Sequence, residues 1–236
     1  MLKNSFQKVS IIIPVYNEKD TFLAILKKVQ NSYTNGLIKE IIIVDDGSTD
    51  GTKDILANIS KDDIKIFYHQ KNSGKGEALR TSFGHASGDV IIIQDGDLEY
   101  DPIDYKDLIK PILDGNADIV YGSRFVGDKP HRVLYFWHYF GNKIIVLFSN
   151  IVTNLNLTDV ETGYKVFSKE VLNKIKLKEK GFGFENEFTI KVARQKFRFY
   201  EVGISYTGRT YQEGKKLKLR HAFLAVWCIL RYGIFS

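Results

Sequence analysis

The sequence predicts an α/β fold, one mostly parallel sheet with helices on both faces. Three observations lead there. Five short apolar runs are rich in β-branched residues and continuous rather than alternating, the pattern of strands buried on both faces. Segments with helical spacing separate them, and strand–helix alternation builds parallel sheets. The residues that follow each run are acidic, glycine-rich or cationic, and ligands of such sheets sit beyond the carboxyl ends of the strands.

Taken in order, strands are predicted at Val9–Val15, Ile38–Val44, Ile64–Tyr68, Val90–Gln94 and Ala117–Tyr121. Helices are predicted between them at Thr21–Val29, Thr52–Ile59, Gly76–Ala86 and Ile103–Leu113, with Ser48 to Asp50 supplying cap-type residues before the second. The character then changes. Lys129 to Thr158 contains no acidic residue, and Val133, Trp137, Phe140, Ile144, Leu147, Ile151 and Leu155 recur at three- and four-residue steps, an amphipathic helix. A second acid-free stretch, Gly214 to Ser236, carries Lys215, Lys216, Lys218, Arg220 and Arg231. No repeat, low-complexity segment or linker divides the chain, so a single domain over residues 1–236 is expected.

Composition narrows the class. Of 236 residues 44% are hydrophobic, enough for a substantial core, and the formal charge of +6 admits an anionic partner without naming it. The single Cys228 excludes an internal disulfide framework and fits a reducing compartment, its role that of a small buried apolar residue. No secretory leader is expected before the first strand, and no run reaches the roughly 18–20 apolar residues of a membrane span.

The post-strand residues carry the chemistry. Asp95 and Asp97 leave a buried strand together, so both can face one divalent ion, and Mg²⁺ or Mn²⁺ takes one or two carboxylates plus substrate phosphates. Gly96 between them leaves the backbone free to approach a ligand, and Glu99 can add a third oxygen. Asp45 and Asp46 can accept hydrogen bonds from a base or ribose while the same turn caps a helix. Asn72-Ser73-Gly74-Lys75-Gly76 offers amides, a cation and a helix N-terminus to a phosphate, and Arg124 closes the fifth strand as a second phosphate contact. These residues describe a metal and an anionic, phosphate-bearing ligand on one sheet edge, and leave open the group transferred.

The ordered series PVYNE, DDGSTDGT, NSGKGEAL, QDGDLEYDP and GSRF resembles the family 2 glycosyltransferases of the GT-A fold. HRVLYFWHYFGN, LTDVETGYKVF, GFGFENEF and GRTYQEGKK are similar to the branch of dolichyl-phosphate mannose synthases and bacterial polyprenyl-phosphate sugar transferases. The resemblance covers Val9 to about Tyr232 and implies a nucleotide-diphosphate sugar donor, GDP- or UDP-linked, and a polyprenyl phosphate acceptor. It implies a nucleotide- and metal-binding half at about 9–125 and an acceptor half at about 126–236 with a basic interfacial tail. It assigns the nucleotide to Pro14, Tyr16, Glu18, Val44 and Asp46, with Lys75 and Gly96 beside it, and the metal and diphosphate to Asp95, Asp97 and Glu99. Position 99 is often Gln in the mannose synthases, which bears on the donor. Arg124, Arg209 and Lys215 match cations around the diphosphate, and Arg132, His138 and Asn142 lie where acceptor-phosphate ligands are found.

What the resemblance implies mechanistically is an inverting transfer. A prenyl monophosphate, with a second pKa near ~6, is already anionic at neutral pH and needs no general base. Asp97 and Arg124 would then act on the departing diphosphate, and Asp159, the carboxylate nearest the acceptor segment, would serve there or orient Arg124 or Lys165. Peripheral attachment to the cytoplasmic face of a membrane is expected through the aromatic helix and the basic tail. The rival readings are transfer to a glycan or lipid hydroxyl, which would require a carboxylate base, a sugar nucleotidyltransferase, whose glycine-rich N-terminal loop Pro14–Glu18 is not, and a non-catalytic binding module. A nucleic-acid partner is not expected, since the basic residues sit beside an apolar tail.

Overall fold

A computed structural model describes residues 6–133, 135–210, 212–213 and 219–234, with the side chains of residues 219–221 left aside. The five predicted strands form: β1 (Lys8–Val15), β2 (Ile38–Asp45), β3 (Ile64–Tyr68), β4 (Val90–Ile93) and β5 (Ile119–Ser123). The last starts two residues later than its apolar run and extends to Ser123, so Gly122 and Ser123 belong to the strand and not to its loop. The intervening helices are α1 (Phe22–Asn31), α2 (Thr52–Ala57), α3 (Lys75–His85) and α4 (Tyr105–Leu113). The C-terminal part contributes α5 (Phe136–Thr153), β6 (Lys165–Ser168), α6 (Lys169–Lys174), α7 (Phe184–Arg194), β7 (Phe199–Gly203) and α8 (Leu219–Ile234).

All seven strands share one sheet in the order β3-β2-β1-β4-β6-β5-β7. Pairing is parallel except along β6, which runs antiparallel between β4 and β5. This arrangement places the site. The carboxyl ends of β1, β2, β4, β5 and β7 and the amino end of β6 all reach the same edge. Chain order also reverses there: β1 leads to β2 on one side and pairs with β4 on the other, the switch point at which open α/β sheets bind ligands.

Period-two alternation sorts each strand between two cores. Val9, Ile11, Ile13 and Val15 of β1 pack with Phe22, Ile25 and Val29 of α1 and Leu108 and Ile112 of α4. Ile12 faces the other layer with Leu79 and Phe83 of α3 and Phe184, Phe188 and Val192 of α7. A smaller cluster joins α5, α7 and α8 through Ile145, Ile190, Ala225, Cys228 and Ile229. Cys228 is buried there, as its small apolar role predicts.

The amphipathic helix predicted at Val133–Leu155 forms as α5, ending at Asn154 in the left-handed conformation. The basic tail is in part a helix, α8, which packs on α5 and α7. Together α5 and α8 leave Phe136, Trp137, Leu147, Ile151, Phe223 and Trp227 largely exposed. Among the described residues, no helix is long and apolar enough to cross a membrane.

Candidate active site

Asp95 and Asp97 leave β4 in opposite company. Asp95 Oδ1 accepts from Lys75 Nζ at 2.8 Å, and the same ammonium lies 3.1 Å from Glu185 Oε1. Its other oxygen faces Gly163, where a Cβ would lie 2.3 Å away, so only glycine leaves room for that carboxylate. Asp97 is 8% exposed and meets Arg209 Nη2 at 2.5 Å. The Arg209 guanidinium also reaches Glu18 at 3.3 Å and Glu99 at 3.2 Å, so three carboxylates surround one cation. Tyr206 donates to Glu99 at 3.0 Å, and the 206–209 backbone is pinned through Thr207 N to the Glu99 carbonyl and Arg209 N to the Glu99 carboxylate.

Burial pushes the Asp97 carboxyl up to about 7, helped by Asp95 and Glu99 and opposed by Arg209. Such crowding fits a divalent cation. Glu18, Asp95, Asp97 and Glu99 are acidic, and Lys75 and Arg209 pair with them directly. Among the described residues no group of three or more His, Cys, Asp or Glu side chains is arranged to hold a metal ion. The Asp95 and Asp97 pair has the chemistry of an Mg²⁺-type site, in which one or two carboxylates are joined by substrate phosphates and water.

The residues expected to frame the nucleotide divide between the sheet core and the loops beyond the strand ends. Pro14 and Val44 are register partners on β1 and β2, and Val44 is wholly buried, its side chain part of the core. Tyr16 and Glu18 follow β1, and Thr21 Oγ1 donates to Glu18 at 2.7 Å. The Gly96 Cα face lies against the Pro14 carbonyl. Asp46, 2% exposed, is engaged by the protein itself. It accepts from Ser73 N at 2.9 Å, Gly74 N at 2.7 Å and His69 Nδ1 at 2.7 Å. Two amides of the Asn72–Gly76 turn, those of Ser73 and Gly74, are spent on Asp46, and just beyond the turn Glu77 N donates to the Lys180 carbonyl at 3.0 Å. Gly74 has φ +99°, and a Cβ there would lie 2.4 Å from that carbonyl, which is why the turn requires glycine. The turn is thus packed on the segment entering α7.

Arg124 leaves β5 into a bidentate pair with Asp159, Nε–Oδ2 and Nη2–Oδ1 both 2.7 Å, and stacks over Tyr206 with 5.2 Å to the ring centroid. Burial would raise the Asp159 carboxyl, but Arg124 holds it below the usual carboxylate range. Glu201 of β7 fixes this pair from behind, accepting from Thr158 N at 2.9 Å and Asp159 N at 3.2 Å. Lys165 does not bond Asp159. It is buried, donates to the Val160 and Thr162 carbonyls, and burial brings its ammonium down to about 8.

Of the acceptor-side positions, Arg132 pairs with Glu213 at 2.8 Å and donates to the Gly208 carbonyl, tying it to the Arg209 loop. His138 sits in the first turn of α5 with its ring 5.6 Å from that of Tyr135, and Asn142 lies one turn on. Lys215 lies outside the described residues. Glu161, Glu185, Asn186, Glu201 and Tyr206 join the site without having been singled out as site residues. The available signal was the acidic FENEF inside an otherwise apolar, glycine-rich run.

Residues 10–176 match Glycosyl transferase family 2. The chain belongs to that family. It is 31% identical over 226 residues to dolichol-phosphate mannosyltransferase of Pyrococcus furiosus, covering 92% of this chain and 63% of that protein. It is 30% identical to undecaprenyl-phosphate mannosyltransferase of Micrococcus luteus, covering 88% and 87% respectively. The chain thus spans under two thirds of the Pyrococcus protein's length. Among solved structures, glucosyl-3-phosphoglycerate synthase from Mycobacterium tuberculosis, in complex with Mn²⁺, UDP and phosphoglyceric acid, superposes with a TM-score of 0.74 at 19% identity, over 98% of this chain and 80% of that one. The GT-A architecture expected from the motifs is the one found.

Proposed function

We propose that this family 2 glycosyltransferase moves a hexose, with inversion, from a GDP- or UDP-sugar to a polyprenyl phosphate such as dolichyl or undecaprenyl phosphate. The observation that carries this reading is the Asp95/Asp97 edge, where buried carboxylates and the cations Lys75, Arg209 and Arg124 meet at the sheet's switch point. The names of the relatives, a dolichol-phosphate and an undecaprenyl-phosphate mannosyltransferase, support the acceptor class.

On this reading Asp95, Asp97 and Glu99 hold Mg²⁺ or Mn²⁺, an ion bound with nucleotide in the solved M. tuberculosis synthase. The metal supplies charge neutralisation to the donor diphosphate. Arg209, which here pairs with Asp97, and Lys215 would supply positive charge to the diphosphate, and Arg124, fixed on Asp159, would orient phosphate oxygens. Pro14, Tyr16, Glu18, Val44 and Asp46 frame the nucleotide, the buried members through backbone and loop position. The acceptor phosphate, already an anion, forms its bond to the anomeric carbon while the bond to the departing diphosphate breaks, so no proton need move. Asp159, held ionised on Arg124, is a positioning group and not a base. Arg132, His138 and Asn142 face the acceptor's phosphate.

The exposed aromatic face of α5 and α8 supports peripheral attachment at the cytoplasmic surface of a membrane, beside the acceptor half. The test is transfer of radiolabelled sugar from UDP- and GDP-sugars into organic-extractable lipid. Purified protein, either prenyl phosphate and Mg²⁺ or Mn²⁺ are supplied, with Asp97→Ala as control. Metal-dependent label in the lipid phase, absent from the variant, is the expected result. Donor hydrolysis without lipid product would overturn the prenyl-phosphate acceptor and favour a hydroxyl.

A further inference from the structure

Glu185 opens α7, a helix of the acceptor half, yet its carboxylate is 5% exposed and reaches the donor side. Glu185 Oε1, Lys75 Nζ and Asp95 Oδ1 form a row with contacts of 3.1 and 2.8 Å. The row is fixed at both ends. Lys75 starts α3 from a turn pressed on residues 179–181, where Gly74 and Glu77 meet the Lys180 carbonyl. Asp95 is backed by Gly163. Behind Glu185, Asn186 Nδ2 donates to Glu161 at 2.7 Å, so the first turn of α7 is tied to the loop before β6.

An ammonium beside a single carboxylate would give that carboxylate its full charge. A second carboxylate on the far side divides the field, and the position of each oxygen then depends on the other. We propose that Glu185 is a positioning residue for the donor site: acting through Lys75, it fixes the Asp95 carboxylate in the place from which it would share a divalent cation. This rests on reading Asp95 and Asp97 as the metal-bearing edge. It also gives Lys75 a task other than direct phosphate binding. A merely structural ion pair would alter melting temperature while leaving cation affinity untouched.

The test is a Mn²⁺ titration followed by the electron paramagnetic resonance signal of the free ion, with UDP or GDP present. Wild type, Glu185→Gln, Lys75→Met and the double variant are compared, with a melting curve for each. Glu185→Gln is expected to weaken Mn²⁺ binding about tenfold, the scale of a group that orients a metal ligand. In the Lys75→Met background the same change is expected to add nothing, because Lys75 transmits the effect. Glu185→Asp keeps the charge but retracts it, and is expected to weaken binding about threefold, an independent reading should the Gln variant fold poorly. Wild-type affinity in Glu185→Gln or Glu185→Asp overturns the proposal, as does an equal loss in the Lys75→Met background. A wild-type protein that takes up no Mn²⁺ with either nucleotide overturns the metal-site reading and the proposal with it.

Discussion

Arg209 Nη2 rests 2.5 Å from Asp97 Oδ2, a contact spanning 112 residues of sequence that sets a guanidinium against the acidic edge beyond β4. Because Glu18 and Glu99 hold the same guanidinium, it acts as a resident counter-ion for the acidic edge. Arg209→Ala is therefore expected to lower kcat by about 10²–10³, the cost of losing one preorganised electrostatic group. The melting temperature without metal should fall too, and added Mn²⁺ should recover more of it than in wild type. Steady-state kinetics and melting curves with and without Mn²⁺ check both parts.

The Arg124–Asp159 pair gives a stability prediction. Asp159 is fully buried and the Arg124 side chain is 13% exposed, so Asp159→Asn leaves a mostly shielded guanidinium without its anion and is expected to cost about 3 kcal/mol in denaturant unfolding. Arg124→Lys should not substitute, because an ammonium cannot make the two parallel bonds to Oδ1 and Oδ2. Wild-type unfolding of Asp159→Asn would show that the pair does not hold this loop.

Gly163→Ala should act locally. The new methyl meets Asp95 Oδ2 and the Tyr100 ring, so the carboxylate must turn away. A drop of at least about tenfold in kcat is expected, with weaker Mn²⁺ binding, since a misplaced ligand loses an order of magnitude or more. An alanine variant with unchanged turnover and Mn²⁺ affinity would remove Asp95 orientation as a requirement.

At the opposite end of the sheet Glu40 is 3% exposed and accepts from Lys65, Ser10 and Ser87. Burial alone would raise its carboxyl, but these bonds hold it well below the usual range. A depressed folded-state pKa contributes stability above the unfolded value near ~4.3, lost as pH falls toward the folded one. Glu40→Gln is expected to cost about 2 kcal/mol at pH 7 and to flatten the acid limb of stability against pH. Unfolding midpoints at pH 7 and pH 3 decide it.

The exposed α5–α8 face predicts lipid binding. Trp137 and Trp227 are 75% and 58% exposed. Replacing both with alanine should cut sedimentation with anionic lipid vesicles about tenfold or more, with the melting temperature held within a degree or two. Equal vesicle binding would leave that face with another role.

The residues made some of this architecture legible and not the rest, for physical reasons. Continuous β-branched runs such as Ile11-Ile12-Ile13 and Val90-Ile91-Ile92-Ile93 can only be buried strands, so five strands and the acidic edge followed from periodicity. β6 and β7 escaped it, being four and five residues long, the first beginning with a buried lysine and the second half-exposed at the sheet's edge. The motifs marked Asp95, Asp97, Arg124 and Asp159 as site residues. They could not reveal that Asp46 is spent on the Ser73–Gly74 amides, or that Lys75 belongs to Glu185, since both depend on loops meeting through the fold.

The antiparallel insertion of β6 between β4 and β5 has a mechanical consequence. The parts of the chain before and after residue 125 are sewn into a single sheet by the β4–β6, β5–β6 and β5–β7 ladders, so neither can swing as a hinged lobe without tearing hydrogen bonds along three seams. Any closure over a substrate must be made by loops above the rigid edge. Severing the chain between the halves should yield two fragments, neither able to complete the sheet alone.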